Sequence, residues 1–271
     1  MKIPSLILGT FQYHSVSELL PIIKVAYSTG IIGYDTSPSY QTENMLGQAL
    51  QELYKCNCIK RENVFIQDKI DGWQMESTKG NVAPFVDESL NKLKTDYIDV
   101  LFIHWPFPEY LFQTWESFQE LKKAGKIKRI GLSNVRVRHL QKIISSTLIV
   151  PDVIQIERHP LRTCYDEINF CRKYNIQVEA YSPICRMDSR LKDSHILQEL
   201  SKKYKKDIGQ IILRWHQDTS VIPVFMSKNS KRIKDNTDIY DFSLTQKEIE
   251  MVNSLNENYK IFVESACCPG I

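Results

Sequence analysis

Four acid–base side chains end or follow neighbouring apolar stretches of this chain: Asp35, Tyr40, Lys69 and His104. A carboxylate, a phenol, an ammonium and an imidazole are groups that enzymes use to move protons. Taken singly, Asp35 could cap a turn, and Tyr40 or His104 could belong to the core. Lys69 is harder to explain in this way, because desolvating an unpaired ammonium costs several kcal/mol. Asp35 is its predicted partner, and the four residues together predict a site of proton transfer.

Polar residues also end the next three apolar stretches. In chain order they are Ser133 and Asn134, then Gln155 and Glu157, then Tyr181 and Ser182. Six successive stretches therefore carry polar groups at or near their ends. If these stretches are parallel strands, their carboxyl ends meet on one rim, where barrel enzymes carry out their chemistry.

The chain alternates short apolar runs with helical patterns from one end to the other. Strands are predicted around residues 6–10, 31–35, 64–66, 98–103, 128–132, 153–156, 176–181 and 221–225. Continuous apolar runs are typical of strands that are buried on both faces, and repeated strand–helix units form parallel sheets with right-handed crossovers. Eight units in this length predict one α/β domain over residues 1–271, a closed (β/α)8 TIM barrel with its site at the carboxyl ends of the strands.

Composition excludes several classes of protein. The net charge is only +3, with no dominant basic patch, so we expect no nucleic-acid partner. No apolar run approaches the ~20 residues of a membrane helix, and the first residues lack a signal-peptide layout. No Gly-x-Gly-x-x-Gly motif opens a helix, which argues against a Rossmann domain.

The seven cysteines form no regular framework, and this favours a reduced, cytoplasmic compartment. They are Cys56, Cys58, Cys164, Cys171, Cys185, Cys267 and Cys268. The close pairs among them lack a second ligand pair at zinc spacing, so we expect no metal site.

Short motifs in order along nearly the whole chain resemble those of the aldo-keto reductase family. They include Gly9 to Gln12, Tyr34 to Tyr40, Asp68-Lys69, Asp99 to Pro106, Gly131 to Val135, Gln155 to Pro160, Tyr181 to Pro183, Leu213 to Trp215 and Arg232 to Asn236. The resemblance implies hydride transfer from a reduced nicotinamide to a carbonyl carbon, with an acid protonating the alkoxide. Because the cofactor supplies the redox chemistry, no metal is required.

The resemblance also implies roles for the four acid–base residues. Tyr40 would be the proton donor, and the Lys69 ammonium would lower the pKa of its phenol from the usual value near 10. Asp35 would hold Lys69 in place and keep it charged. His104 would donate a hydrogen bond that orients the carbonyl oxygen.

The cofactor site is implied by the same resemblance. Ser133, Asn134 and Gln155 match residues that hold the nicotinamide carboxamide, and Tyr181 matches the aromatic ring on which the nicotinamide stacks. The remaining positions are Thr10 and Asp35 near the ribose, Ser182 and Arg186 near the pyrophosphate, and Ser227, Arg232 and Asn236 near the adenine and its phosphate. A guanidinium suits a phosphate, so NADPH is preferred over NADH.

Two departures from the family pattern have consequences. Met226 stands where the family commonly has a lysine, so one cation for the 2′-phosphate is missing or is replaced by Lys228. The chain also begins almost at the first strand, so the hairpin that often closes the bottom of the barrel is expected to be shortened.

Phe11, Trp73 and Trp105, with the segment Cys267 to Gly270, are the predicted walls of the substrate pocket. An aromatic pocket suits a small carbonyl compound with an apolar body. The alternative function is a non-catalytic nicotinamide-nucleotide-binding regulatory protein on the same barrel, since fold does not fix function. A metal-dependent hydrolase fits less well, because Lys69 would repel a divalent ion. The resemblance suggests a monomer.

Overall fold

Eight short strands pair in parallel and in sequence order, and the last pairs with the first to close a barrel. The computed structural model describes residues 1–56 and 59–263. The strands are β1 (Ile7–Gly9), β2 (Gly33–Asp35), β3 (Phe65–Ile70), β4 (Val100–Ile103), β5 (Ile130–Ser133), β6 (Val153–Glu157), β7 (Gln177–Tyr181) and β8 (Val221–Phe225). The predicted (β/α)8 barrel is confirmed. The third strand is longer than predicted. Its apolar run ends at Ile66, but the strand continues through polar residues to Ile70.

Helices cover the outside of the barrel between successive strands. They are α1 (Val16–Ser28), α2 (Glu43–Lys55), α3 (Gly72–Ser77), α4 (Ala83–Leu93), α5 (Leu111–Lys123), α6 (Val137–Thr147), α7 (Tyr165–Lys173), α8 (Ser189–Lys192), α9 (His195–Tyr204), α10 (Ile208–Asp218), α11 (Ser230–Thr237) and α12 (Gln246–Asn253). Their apolar faces pack on the outward side chains of the strands, as Trp115 and Phe118 of α5 do. This packing forms the largest part of the core.

The alternation of side chains along each strand divides the barrel into an outer and an inner face. On β3, Ile66 and Ile70 pack in the outer core, whereas Phe65 contacts Phe102 and Val153 in an apolar cluster of its own. Ile3 packs against that inner cluster and so fills the bottom of the barrel. The first six residues form no strand.

Above the apolar layer the inner face of the barrel becomes polar. Gln67 and Lys69 of β3, Gln155 of β6 and Glu179 of β7 are all buried there, with Asp35 at the end of β2. Burying so many polar groups is costly unless each finds a partner. This layer lies directly beneath the carboxyl ends of the strands, so the fold itself builds the support for the site.

Three further observations concern the rest of the molecule. Among the described residues, no helix is long and apolar enough to cross a membrane. Cys164, Cys171 and Cys185 are buried free thiols, whereas Cys56 is disulfide-bonded. The described part of the chain has no group of three or more residues suited to hold a metal ion. The reduced compartment therefore stays a prediction that only the free thiols support.

Candidate active site

Lys69 and Asp35 form an ion pair inside the barrel. The Lys69 Nζ lies 2.8 and 2.7 Å from the two Asp35 carboxylate oxygens and donates a third hydrogen bond, 3.0 Å long, to the Thr36 carbonyl. Burial opposes the charge on the ammonium, but the Asp35 carboxylate outweighs it and raises the pKa of Lys69. The ammonium is therefore fixed in position and charged.

Tyr40 lies above this ion pair, at the end of a short 3-10 helix over Pro38–Tyr40. Its ring is 4.7 Å from the Lys69 Nζ, 5.1 Å from the Phe11 ring and 5.7 Å from the His104 ring. Burial raises the pKa of Tyr40 to about 12, although Lys69 acts to lower it. The expectation of a lowered pKa is therefore wrong, because desolvation of the phenolate exceeds the attraction of the ammonium.

His104 is held by a carboxylate that the sequence analysis did not identify. The His104 Nδ1 lies 2.5 Å from an oxygen of Asp71, which follows β3 and begins α3. The other Asp71 oxygen accepts the backbone N–H of Ser39 at 3.0 Å. Burial opposes ionisation of Asp71, but the hydrogen bonds from His104 and Ser39 lower its pKa. An ionised carboxylate at this distance requires a proton on Nδ1.

A second carboxylate outside the prediction lies under the ion pair. The side-chain amides of Gln67 and Gln155 each donate to Asp35 and to Glu179, over distances of 2.8 to 3.0 Å. The other oxygen of Glu179 has no partner among the described residues. Burial raises the pKa of Glu179 to about 7. Two amide groups thus bridge two carboxylates, and Lys69 is bonded to only one of them.

The residues predicted to hold the carboxamide lie together at the ends of β5, β6 and β7. The Asn134 amide donates to the His104 carbonyl at 2.9 Å, and its oxygen accepts the Tyr181 hydroxyl at 2.6 Å. The Ser133 hydroxyl donates to the Gln155 carbonyl at 2.9 Å. Asn134 adopts a positive φ of 58°, which asparagine tolerates better than most residues.

One large cleft joins this rim to the start of α11. Most of the predicted site residues line it: Phe11, Asp35, Tyr40, His104, Trp105, Ser133, Asn134, Gln155, Tyr181, Ser182, Arg186, Ser227, Arg232 and Asn236. Lys69 lies beneath Tyr40. Thr10 is buried, and its hydroxyl donates to the Asp35 carbonyl. Trp73 is 55 % exposed, packs edge-on against Phe85 and lies outside the cleft lining.

The end of the cleft near α11 carries the predicted adenine-side residues. Arg232 lines it and has no ion pair with the part of the chain that the structure describes. Met226 and Lys228 line it as well. The Lys228 ammonium is 3.0 Å from a Glu18 carboxylate oxygen, so it is paired in this structure. The segment Cys267 to Gly270 lies outside the described residues.

The two missed carboxylates had weak signals in the sequence. Asp71 precedes a short helix, so it resembles an ordinary helix cap. Glu179 interrupts the apolar run of β7, and the alternation of Gln177, Glu179 and Tyr181 could have placed it on the inner face of the barrel. Neither signal indicates which residue the carboxylate contacts.

Comparison with known proteins agrees with this geometry. The profile of the aldo/keto reductase family matches residues 5–257. This chain belongs to the aldo/keto reductase family. A glyoxal reductase of Bacillus subtilis is 32 % identical over 96 % of this chain and 92 % of its own length. The methylglyoxal reductase DkgA of Escherichia coli K12 is 32 % identical over 95 % and 91 %.

A solved structure is similar over the same extent. The aldo-keto reductase AKR2E4 of Bombyx mori, crystallised in complex with NADP, superposes with a TM-score of 0.90 at 32 % identity and covers 97 % of this chain and 92 % of its own. The aldo/keto reductase described here is therefore an oxidoreductase that reduces carbonyl groups with a nicotinamide cofactor.

Proposed function

We propose that this aldo/keto reductase reduces aldehydes or ketones to alcohols, with Tyr40 as the proton donor and NADPH as the preferred cofactor. The observation that carries the proposal is the position of Tyr40 in the cleft wall, with its ring 4.7 Å above a buried ammonium. A structural tyrosine has no need of that charge. The fixed Lys69 ammonium stabilises the phenolate that remains when Tyr40 gives up its proton.

The cleft fits a nicotinamide dinucleotide. At one end it presents Ser133, Asn134 and the Tyr181 ring, which suit an aromatic carboxamide. At the other end it presents the guanidinium of Arg232, which forms no ion pair with the described residues. Ser182 and Arg186, with Thr10 and Asp35 at the inner end, would hold the ribose and the pyrophosphate. Ser227 and Asn236 would hold the adenosine end. When bound there, the reduced cofactor supplies a hydride to the carbonyl carbon.

The protein's own residues then handle the proton. Tyr40 donates its O–H hydrogen to the carbonyl oxygen as negative charge develops on it. With its pKa raised to about 12, Tyr40 holds this proton across the physiological range. The phenol is therefore protonated, as a proton donor in reduction must be.

His104 supplies the second contact to the carbonyl oxygen. The His104 Nδ1 lies 2.5 Å from a carboxylate oxygen of Asp71, and this hydrogen bond fixes the orientation of the ring and directs Nε2 towards the carbonyl oxygen. We therefore assign to Asp71 the role of a positioning residue that orients His104.

NADPH is the preferred form because the Arg232 guanidinium, which has no ion pair within the described part of the chain, suits the 2′-phosphate. Met226 brings no charge to this end of the cleft. Lys228 pairs with Glu18, so it contributes only by exchanging that partner for the phosphate. The preference over NADH is accordingly expected to depend on one arginine.

A fluorescence titration with NADPH and NADH, followed by steady-state rates with an aldehyde panel that includes 4-nitrobenzaldehyde, tests the proposal. We expect tighter binding of NADPH and its oxidation in the presence of aldehyde. Binding without turnover across the panel would support the alternative, a non-catalytic nucleotide-binding regulatory protein. Failure to bind either nucleotide would overturn both.

The sequence also predicts the domain extent, oligomeric state, compartment and partner of this enzyme. We expect a single barrel domain over residues 1–271, a monomer in the cytoplasm, and a small carbonyl compound as the partner, with neither nucleic acid nor membrane. Gel filtration and localisation of a tagged protein test the monomer and the compartment.

A further inference from the structure

Two carboxyl groups that the proposed chemistry does not use lie buried on the outer side of β3. Asp68 alternates with Ile66 and Ile70, which pack in the outer core, so its side chain points away from the cleft. Glu43 is the first residue of α2. Asp68 is 0 % exposed and Glu43 is 2 % exposed. Burying two ionised carboxylates together is costly unless each of them is fully paired.

One oxygen of each carboxyl group lacks a donor. Asp68 Oδ1 accepts the Lys69 N–H at 2.9 Å, but Asp68 Oδ2 has no hydrogen-bond partner among the described residues. Glu43 Oε2 is 3.3 Å from the Lys92 Nζ, whereas Glu43 Oε1 has no partner in the same part of the chain. A single proton would satisfy both oxygens, because a protonated carboxyl group donates and a carboxylate accepts.

The surroundings of Glu43 favour its ionised form. The Lys92 ammonium faces its Oε2 and also pairs with Glu88 of α4 at 2.8 Å. Burial opposes the charge on Lys92, but its bonds to Glu88 and Glu43 raise its pKa. The dipole of α2 further stabilises a negative charge in the first turn of the helix. Glu43 is therefore the acceptor of the pair.

The surroundings of Asp68 favour its protonated form. Burial raises the pKa of Asp68 well above its ordinary value, and the charge of Glu43 adds to the effect. The N–H and the ammonium of Lys69 lower this pKa, whereas the Asp35 carboxylate raises it. On the other side of β3, β4 places the uncharged Leu101 opposite Asp68. Asp68 is therefore the donor of the pair.

We propose that Asp68 and Glu43 share one proton, and that this hydrogen bond is a positioning contact that holds the start of α2 against β3. Asp68 Oδ2 donates and Glu43 Oε1 accepts. The contact joins the two segments that carry the proton-transfer residues, because Lys69 directly follows Asp68 and Tyr40 precedes Glu43 by three residues. The effect on Tyr40 rests on the proposed function, whereas the shared proton does not.

A second set of hydrogen bonds holds the same junction from the side of β1 and β2. The Thr42 hydroxyl is 2.8 Å from the Thr36 hydroxyl and 2.7 Å from the Thr10 hydroxyl. These bonds remain when the shared proton is lost. Loss of the proton should therefore displace Tyr40 slightly, and it should not unfold α2.

The shared proton fixes the direction of a pH dependence. An aspartate in an unfolded chain ionises near pH 3.9, whereas folded Asp68 keeps its proton to a much higher pH. The stabilising effect of the pair is therefore fully present below the unfolded pKa and declines as pH rises towards the folded pKa. Above the folded pKa it is level, and two adjacent carboxylates repel one another at the start of α2.

Infrared difference spectroscopy in heavy water at neutral pH tests for the shared proton without any substrate. Asp68→Asn keeps the shape of the side chain and a donor for Glu43 but removes the acid. We expect wild type to show the carbonyl stretch of a protonated carboxyl group that this variant lacks. Glu43→Gln should lose the same band, because its amide donates to Asp68 and lets it ionise. A band that neither variant removes, or that survives in Glu43→Gln, would overturn the sharing of the proton.

Single-turnover oxidation of bound NADPH by 4-nitrobenzaldehyde tests the positioning role. Asp68→Ala leaves Glu43 Oε1 without a donor, so the rate should fall about 3- to 10-fold, as loss of one hydrogen bond implies, with NADPH affinity unchanged. Asp68→Asn should keep the rate within about twofold of wild type at neutral pH. As pH rises through the folded pKa of Asp68, the rate of wild type should decline relative to that of Asp68→Asn. Equal losses in the two variants, or no loss in Asp68→Ala, would refute the positioning role.

Asp87→Asn is the control, because Asp87 is an exposed carboxylate of α4 that pairs with Lys126. It should keep the infrared band and the pH profile of wild type. If it changes either of them as much as Asp68→Asn does, loss of any carboxylate on this side of the barrel explains the effect, and the proposal fails. If wild type itself reduces no aldehyde, the proposed function fails, and the infrared spectra alone decide whether the proton is shared.

Discussion

The proposed chemistry depends on charges that are fixed before the substrate arrives. Lys69 is locked to Asp35, and His104 is locked to Asp71 at 2.5 Å. Preorganised groups of this kind stabilise developing charge without having to reorganise. Tyr40 is the exception, because burial keeps it neutral and ready to donate.

Asp71→Asn tests the role of the carboxylate beside His104. The substitution keeps the size of the side chain but removes its charge, so the hydrogen bond that orients the His104 ring is weakened. We expect kcat to fall about 10- to 100-fold, the usual effect of one charge-assisted hydrogen bond, with NADPH affinity unchanged. Measurement of kcat, KM and cofactor Kd checks this. An unchanged kcat would show that Asp71 only caps α3.

Part of the site could be predicted from the sequence. Asp35, Lys69 and His104 lie at or next to strand ends, as the apolar runs predicted, and Tyr40 follows the end of β2 by five residues. Asp71 was missed because a contact between two loops has no periodic signal. The predicted direction of the Tyr40 pKa shift was wrong. Burial raises this pKa, and burial depends on tertiary packing, which the local sequence pattern does not show.

At the scale of elements, the alternation of side chains along the strands places the buried polar residues together on the inner face of the barrel. Because β3, β6 and β7 run parallel in register, Gln67, Gln155 and Glu179 meet inside the barrel. The sequence predicted the strands but not this convergence, which depends on closure of the sheet. Each amide spans two carboxylates, so the layer supports Asp35 from below.

The polar layer predicts a specific dependence of stability on pH. Glutamate in an unfolded chain ionises near pH 4.3, whereas burial raises the folded pKa of Glu179 to about 7. Between these values the folded state keeps a proton that the unfolded state has released, so this group's contribution to stability falls as pH rises and is level above the folded pKa.

Glu179→Gln removes that decline and keeps one acceptor oxygen for the two amides. The free energy of unfolding of the variant minus that of wild type should therefore increase by roughly 1–3 kcal/mol between about pH 4.5 and about pH 8. Urea unfolding across this range measures it. A difference that does not vary with pH would mean that Glu179 is ionised throughout.

Close packing of α2 against α4 gives a second prediction for elements. A Cβ at Gly47 would lie within 2.8 Å of Leu93 backbone carbon and closer still to the Lys92 carbonyl. Gly47→Ala must push the helices apart and should cost about 1–3 kcal/mol of stability, as overpacking usually does. Gly209→Ala is the control, because Gly209 has no atom within 4 Å of that position; it should leave stability unchanged or increase it by up to about 1 kcal/mol. Equal effects in urea unfolding would contradict the packing argument.

At the scale of the whole molecule, one cleft runs from the carbonyl site to α11. The barrel was predictable from the sequence because eight strand–helix units leave few other ways to pack.

The choice between NADPH and NADH is predicted to depend on Arg232, at the end of the cleft near α11. Arg232→Ala should weaken NADPH binding about 10- to 100-fold, because the 2′-phosphate loses a charge-assisted contact, while NADH binding should change little. Lys231→Ala is the control, since Lys231 pairs with Asp235 and lies outside the cleft lining. Equal weakening of both nucleotides in Arg232→Ala would assign the arginine a structural role instead.

The central claim is that Tyr40 gives its proton to the carbonyl oxygen, and single-turnover oxidation of bound NADPH by 4-nitrobenzaldehyde tests it most directly. In Tyr40→Phe the ring and its packing remain and only the hydroxyl is lost. We predict that the rate falls at least about 100-fold, the usual contribution of a general acid, with NADPH affinity unchanged. A rate within about tenfold of wild type would contradict the assignment and leave His104 as the proton donor to be tested.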